Sequence, residues 1–319
     1  MRAFQVTAFD QPPSLVDVPR PSPAPGEVLL EIEACGLNFA DLLMANGTYQ
    51  DTPAPPFTLG MEVCGIVRET GDGVSEPAIG TRVAVFGGDG GFAEFGVFPA
   101  HLCLTLPDGM PSDTAAGFQV AYGTSHLALT RRARLQKGET LAVFGAAGGV
   151  GLTAVEIGAA MGAHVIAVAR GADKLAIAKA AGAAITIDSE DGDLAAAMKA
   201  AGPIDVAYDP VGGAAFDAGF RAMAREGRML IIGFASGEVP KVPGNIALVK
   251  NVDVIGFYWG GYFKFAPNVL TDSLRVLLEW YSDGRLSPHI SHSIPLDRAG
   301  EALELMRSRR STGKIVVTP

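Results

Sequence analysis

One stretch constrains this chain more than any other. Leu141, Ala142, Val143 and Phe144 form an apolar strand-like run that passes straight into Gly145, Ala146, Ala147, Gly148, Gly149, Val150 and Gly151. Residues 149–161 then read as a helix. A strand that opens a helix through a bend of small residues is the setting in which a glycine pattern marks a dinucleotide site. Read as x-x-G-x-x-G, Ala146 takes the first glycine's place, Gly148 the second and Gly151 the third. Gly148 lets backbone approach a pyrophosphate, and Gly151 lets the helix pack closely on the strand. Exposed N–H groups and the helix dipole favour phosphate charge, which assigns cofactor contacts to Ala147, Gly148, Gly149, Val150 and Gly151. The bland alternative, a tight turn with no ligand, is disfavoured by the matching elements on both sides.

The same rhythm continues downstream. Strands are expected at 164–169, 184–187, 204–208 and 229–232, and helices at 173–181, 194–201 and 214–224. Apolar strands alternating with helices mean an α/β fold, a doubly wound parallel sheet covered on both faces. Residues 252–258 would add an edge strand. The first 118 or so residues differ. Apolar runs at 27–33, 63–68 and 82–86 are separated by Pro- and Gly-rich turns, the pattern of a barrel or sandwich. One helix is expected at 38–45, stopped by Asn46 and Gly47. The end of the chain predicts helices at 269–281 and 296–307 and a strand at 314–318. At 319 residues the chain suggests two domains.

A net charge of -9, with one short basic cluster at Arg131, Arg132 and Arg134, argues against a nucleic-acid partner. The amino terminus lacks the apolar core of a signal peptide. The most apolar region, 141–169, is rich in Gly and interrupted by Glu156, so no membrane span is expected. Three cysteines, Cys35, Cys64 and Cys103, cannot make a disulfide framework and suit a reducing compartment, and a cytoplasmic enzyme is the default.

The second strand speaks to the cofactor. An NAD site usually places an acid at its end for the ribose 2′-hydroxyl. Here the strand ends Val168, Ala169, Arg170, Gly171, and the charged residues are Arg170 and Lys174. Two cations suit a 2′-phosphate, which predicts NADPH. Asp173 falls in the next helix's first turn, where a capping role is expected.

Several segments, in order, carry a resemblance: residues 35–41 from Cys35 to Asp41, 59–65 with Gly60, Met61 and Glu62, 80–83, the turn at 145–151, 209–213 from Asp209 to Gly213, and Thr312, Gly313 and Lys314. Over essentially its whole length the chain resembles the zinc-free medium-chain dehydrogenase/reductases, in the NADPH:quinone oxidoreductase (zeta-crystallin-like) branch. The resemblance implies a GroES-like catalytic domain (1–118 and 267–319) and a Rossmann NADPH-binding domain (119–266). Zinc-containing members carry Cys and His where this chain has Asn38 and Met61, poor zinc ligands beside thiolate and imidazole. No Cys or His occurs near 116–121, and the lobe that would hold a four-cysteine zinc is missing between 88 and 91. No metal is therefore expected. Cys35 and Cys64 read as small core residues, and the five histidines as structural.

The resemblance also implies site residues. Asn38, Asp41 and Tyr49 would border the acceptor, with Asn38 or the Tyr49 hydroxyl donating to a developing oxyanion. For Asp41, a hydrogen bond holding the loop is the stronger expectation, and for Tyr49 a turn aromatic is the alternative. Thr124, after Gln119, Tyr122 and Gly123, would lie near the nicotinamide. Gly233 and Phe234 in one loop, and Phe257, Tyr258 and Trp259 in another, would border the same half of the cofactor, the aromatics as a pocket wall. Ser189 stands where the quinone reductases often have Tyr near the adenosine phosphate, and Arg309 matches a basic position that reaches the 2′-phosphate. Without a Lewis acid, electron-poor acceptors are favoured, because the cofactor carries the hard chemistry. The first expectation is reduction of a quinone and the second of an activated alkene such as an enal, enone or enoyl thioester. From another class, an NADPH-binding structural or RNA-binding protein with little catalysis is the alternative, and the acidic balance opposes RNA. The open edge at 252–258 predicts a homodimer by edge-to-edge pairing.

Overall fold

Short apolar runs in the first third of the chain pair into sheets, and the longer alternation after residue 140 builds a different kind of layer. The computed structural model describes residues 1–319. The early strands are β1 (Arg2–Val6), β2 (Ser14–Asp17), β3 (Glu27–Leu37), β4 (Phe57–Thr58), β5 (Glu62–Thr70), β6 (Arg82–Phe86), β7 (Phe95–Pro99) and β8 (Leu104–Thr105). Then come β9 (Thr140–Phe144), β10 (His164–Ala169), β11 (Ile185–Asp188), β12 (Ile204–Asp209), β13 (Met223–Ile231) and β14 (Asp253–Gly256), and finally β15 (Ile290–Pro295) and β16 (Lys314–Thr318). The backbone divides into two units, Met1–Val120 with Pro288–Pro319, and Ala121–Ser287.

The first unit is the GroES-like β domain. Its larger sheet runs β15-β16-β3-β5-β6-β8, with β7 also on β3, and a smaller sheet runs β2-β1-β4. Val28, Leu30, Ile32 and Val63, Val67, Val83, Val85 turn into one core, joined by Ile315 and Val317 of the last strand. Burying each such side chain is worth roughly 1.5–3 kcal/mol, so the carboxyl-terminal strand is held firmly. β16 runs antiparallel to β3 with Ile315 opposite Leu37. That register sets Lys314 beside Leu37 and Asn38, across most of the chain's length.

The second unit is a Rossmann-type layer. Its six strands run β11-β10-β9-β12-β13-β14, every neighbouring pair parallel. β9, β10 and β12 are almost wholly apolar because both faces are covered. The strand order reverses between β9 and β12, the switch point where ligands bind such sheets. Here β13 starts at Met223, earlier than the pattern predicted, because Glu226 at φ +60 and Gly227 bend the chain rather than ending it. The edge strand is shorter than 252–258, at Asp253–Gly256. The helix Pro267–Ser282, grouped with the first domain on sequence, lies inside the second unit. Its apolar stripe, including Leu270, Leu274 and Leu277, is buried there, and a stripe alone does not say which unit covers it. No helix is long and apolar enough to cross a membrane.

Candidate functional site

The turn after β9 is built for close approach. Gly145 has φ +58, a left-handed conformation natural to glycine. Ala146 N–H donates to Val168 O at 3.0 Å and Gly148 N–H to Gly145 O at 2.9 Å, which ties the turn to β10 and to itself. A Cβ on Gly151 would stand 2.2 Å from Gly145 O, so the helix Gly149–Ala160 can lie this near the strand only without a side chain there. A Cβ on Gly148 would meet nothing nearer than Gly145 O at 3.3 Å. The cap residue Gly148 has no side chain to accept from the first-turn N–H groups of Gly149, Val150 and Gly151. Such donors want an anion, and the dipole agrees with them. These residues fit a diphosphate.

Next to the turn, β10 ends in buried Ala169, then exposed Arg170. Gly171, at φ +80, starts the helix Ala172–Ala180, which carries half-buried Lys174. An acid the sequence reading did not connect here, Asp188 at the end of β11, turns inward: its Oδ2 accepts from Gly171 N–H at 3.1 Å and its Oδ1 from Glu190 N–H at 3.0 Å. Arg170 is not unopposed either, for Glu190 lies 3.5 Å away in an exposed pair. Such a pair is worth little in water and yields easily to a phosphate. Ser189 is exposed, its N–H on Ala169 O at 2.9 Å, and supplies no stacking ring. Asp173 lies in the first helical turn without capping, though its charge suits the dipole.

The loop after β12 leans on the turn. Asp209 Oδ1 accepts from Val211 N–H at 2.8 Å and Gly212 N–H at 3.0 Å, and Val211 would be the first side chain met by a Cβ on Gly145. Asp209 Oδ2 is buried without a partner, and burial pushes this carboxyl up. Ala235 and Ser236 N–H donate to Pro210 O and Val211 O, which places Gly233 and Phe234 beside the same loop. Phe234 and Tyr258 are about two-fifths exposed and remain wall candidates. Phe257 and Trp259 are not. Both are buried, Phe257 against Tyr262 with ring centroids 5.8 Å apart, and Trp259 against Gly123. Three successive aromatics read as a wall divide because alternate residues face opposite ways. Thr124, which follows Gly123 in the chain, is buried as well.

In the first unit, the residues expected at the acceptor fold differently. Lys314 is buried, and its Nζ donates to Leu37 O at 2.8 Å, Asn38 Oδ1 at 2.7 Å and Glu62 Oε1 at 2.8 Å, which uses all three protons. Asn38 Nδ2 in turn donates to Glu62 Oε1 at 2.9 Å and Gly36 O at 3.4 Å. Glu62 Oε2 accepts from Val120 N–H at 2.9 Å. Asn38 is thus committed on both sides of its amide and has no proton left for an oxyanion. Asp41 is fully buried: its Oδ2 reaches back to Asn38 N–H at 2.8 Å and its Oδ1 to Gly60 N–H at 3.0 Å. It holds the helix Phe39–Ala45 and the adjoining loop rather than any ligand. Burial raises its carboxyl to about 7. The half-buried ring of Tyr49 packs on the core. Arg309 sits in an exposed turn at φ +56.

This cluster does not fit zinc. An ammonium already bridges Asn38 and Glu62, Met61 beside them offers a thioether, and no three His, Cys, Asp or Glu side chains are grouped to hold a metal. Cys35 and Cys64 are buried, with thiols pushed up by desolvation, and His126 is buried on Ser273 Oγ at 2.7 Å and pushed down to about 4 for the same reason. Lys314 and Glu62 are the residues that sequence reasoning passed over. Both lay in matched segments, but only the β3–β16 register joins them across 252 positions.

Two family models match the chain, an alcohol dehydrogenase GroES-like domain over residues 24–108 and a zinc-binding dehydrogenase domain over residues 149–278. The second spans β10 to β14 of the other unit's sheet but not β9, and neither Asn38 nor Met61. Quinone oxidoreductase-like protein 2 of Mus musculus is 36% identical over 322 residues, 99% of this chain and 92% of its own. The quinone oxidoreductase of Thermus thermophilus, solved also in complex with NADPH, superposes with a TM-score of 0.86 at 32% identity, covering 100% of both chains. The Escherichia coli quinone oxidoreductase complexed with NADPH gives 0.91 at 27% identity, again over 100% of both.

Proposed function

Since this chain belongs to the quinone oxidoreductase branch of the medium-chain dehydrogenase/reductases, we propose that it oxidises NADPH and reduces a quinone, without zinc. The observation that carries the reading is the glycine cradle at 145–151, where a Cβ on Gly151 would strike Gly145 O at 2.2 Å. When bound there, NADPH supplies a hydride, which with one solvent proton turns a quinone to its hydroquinone and leaves NADP⁺.

The chain's own residues bind and orient. The N–H groups of Gly149, Val150 and Gly151 hold the diphosphate, and Arg170 and Lys174 hold the 2′-phosphate, Arg170 exchanging Glu190 for it. Thr124, Gly233, Phe234 and Tyr258 border the nicotinamide. With the Lys314 ammonium held by Glu62 and Asn38 and no zinc ligands beside it, the acceptor that suits the protein delocalises the incoming electrons itself. Quinones do so. Asn38 and Asp41 shape the loop, and Tyr49 is the remaining candidate for a hydroxyl at the acceptor.

NADPH consumption under single-turnover conditions, followed with a quinone panel and an acryloyl thioester, tests this. Quinone turnover is expected, and reaction of the thioester alone would replace the quinone with an activated alkene. The molecule also pairs with a second copy along β14. That strand has one neighbour, β13, and its Val254 is exposed along with Leu248 and Val249 just before it. A sedimentation mass of two chains is expected, reverting to one in Val254→Pro.

A further inference from the structure

Glu156 is the one charged residue within the most apolar stretch of the chain, and it takes no part in holding the cofactor's phosphates. It rides the phosphate-binding helix Gly149–Ala160, two turns in from the glycine bend. The structure gives it two partners. One carboxylate oxygen accepts from the hydroxyl of buried Tyr122, and the other accepts from the backbone N–H of Ser287. Tyr122 and Ser287 stand at the two ends of the cofactor unit, which begins at Ala121 and finishes at Ser287. A single side chain therefore grips both places where the backbone enters and leaves that unit.

The grip on the entering segment is not left to Glu156 alone. Ser125 Oγ donates to Val150 O at 2.9 Å and meets Thr153 Oγ1 at 2.8 Å, and Thr153 Oγ1 lies 3.0 Å from Ala121 O. Residues 121–125 are thus laced along the first two turns of the helix that receives the diphosphate. Thr124, the residue assigned to the nicotinamide, rides in that lacing between Tyr122 and Ser125. Glu156 is half-buried, and withdrawing its carboxyl from water is costly unless it is hydrogen-bonded, as both of its oxygens are.

We propose that Glu156 is a positioning residue for hydride transfer: by clamping Tyr122 and Ser287 to the phosphate-binding helix, it fixes the nicotinamide-bearing segment relative to the anchored diphosphate. The inference rests on NADPH as the cofactor. It does not depend on which acceptor is reduced. The clamp acts between the two halves of one cofactor, so its loss separates two quantities that a merely structural role moves together. These are the affinity for the phosphate half and the contribution of the nicotinamide half.

The test compares Glu156→Ala, Glu156→Gln and Tyr122→Phe with the wild-type protein, each titrated with NADPH and with 2′-phospho-ADP-ribose, which keeps the phosphates and lacks nicotinamide. In Glu156→Ala the fragment is expected to bind within about 2-fold of wild type while kcat falls about 10- to 100-fold, the penalty for a reacting group displaced by about 1 Å. The primary deuterium isotope effect with NADPH labelled at the transferred position rises as hydride transfer becomes limiting, and bound NADPH loses part of its fluorescence enhancement. Glu156→Gln, which can still bridge Ser287 N–H and the Tyr122 oxygen, restores kcat to within about 3-fold. Tyr122→Phe, which keeps the ring and the fold, falls between the two. The proposal is overturned if Glu156→Ala binds and turns over NADPH as wild type does, or if affinity for fragment and NADPH falls in parallel. A wild type that binds NADPH but reduces no quinone defeats the quinone reading alone, and the ratio of the two affinities then decides this one. A wild type that binds neither ligand defeats both.

Discussion

The polar cluster around Lys314 is buried and the glycine turn after β9 is partly open to solvent, and their polar groups end in opposite states. In the cluster every donor has found an acceptor within the chain: three for the Lys314 ammonium, two for the Asn38 amide, and backbone N–H groups on both oxygens of Asp41. In the turn the first-turn donors of a helix are presented with no capping side chain. A satisfied network is structure, since opening it for a ligand would expose buried charge. An unsatisfied row of donors at a helix start awaits an anion. Substitutions in the first place should therefore cost stability, and those in the second should cost binding.

The largest break comes at Lys314. Lys314→Met leaves Glu62 in the core without its counter-ion, which is expected to cost about 3–5 kcal/mol in guanidinium unfolding. Glu62→Met with Lys314→Met together should recover much of that loss, because no uncompensated charge remains. Full stability in the single variant would mean the pair is not the ionic one drawn here. The turn gives the mirror image. Gly148 has ordinary φ and ψ of -82° and 175°, so Gly148→Val folds, but its side chain enters the space the diphosphate needs. NADPH affinity is expected to fall about 100-fold, roughly 2.7 kcal/mol, with only a small drop in the thermal midpoint. Gly151→Ala, with its 2.2 Å clash, blurs the contrast by losing both.

Arg170 and Lys174 sharpen the comparison at a smaller scale. Each changed to Ala should lower the preference for NADPH over NADH about 10-fold in competitive titration, roughly 1.4 kcal/mol. The smallest effect is a pH slope. The Asp41 carboxyl is raised in the fold from 3.8 to about 7, so folding favours its protonated form, and the stability from that preference is present below 3.8 and lost as pH rises toward 7. Asp41→Asn should flatten that part of the wild-type curve, seen as a smaller change in urea midpoint between pH 4 and 7. An unaltered slope would mean that Asp41 is ionised throughout, with its two backbone donors outweighing burial.

The parallel sheet was legible because its determinants are local. An apolar run, a glycine bend and a helix lie consecutively, and Gly145, Gly148 and Gly151 report their own backbone needs. Arg170 and Lys174 could be named as candidates for the same reason, since they follow one another closely after β10. Glu190 was not, because it comes from the neighbouring strand's end and meets Arg170 only through the β10–β11 register. Asn38 was misread as a donor to substrate. Its amide is set by Lys314, at a sequence distance of 276, and no spacing rule reaches that far. The helix Pro267–Ser282 was read correctly as an element and grouped with the other unit, since amphipathicity shows that a face must be covered but not by what.

The chain's order of residues was enough to determine a dinucleotide turn, a doubly wound sheet and a β-rich companion, because each follows from periodicity and from backbone freedom at particular glycines. Tertiary structure alone decided which polar groups were left over for chemistry. Hydrogen bonds are exclusive: a proton that Lys314 gives to Asn38, or Tyr122 to Glu156, is unavailable elsewhere, and only the folded register of distant strands says who claims it first.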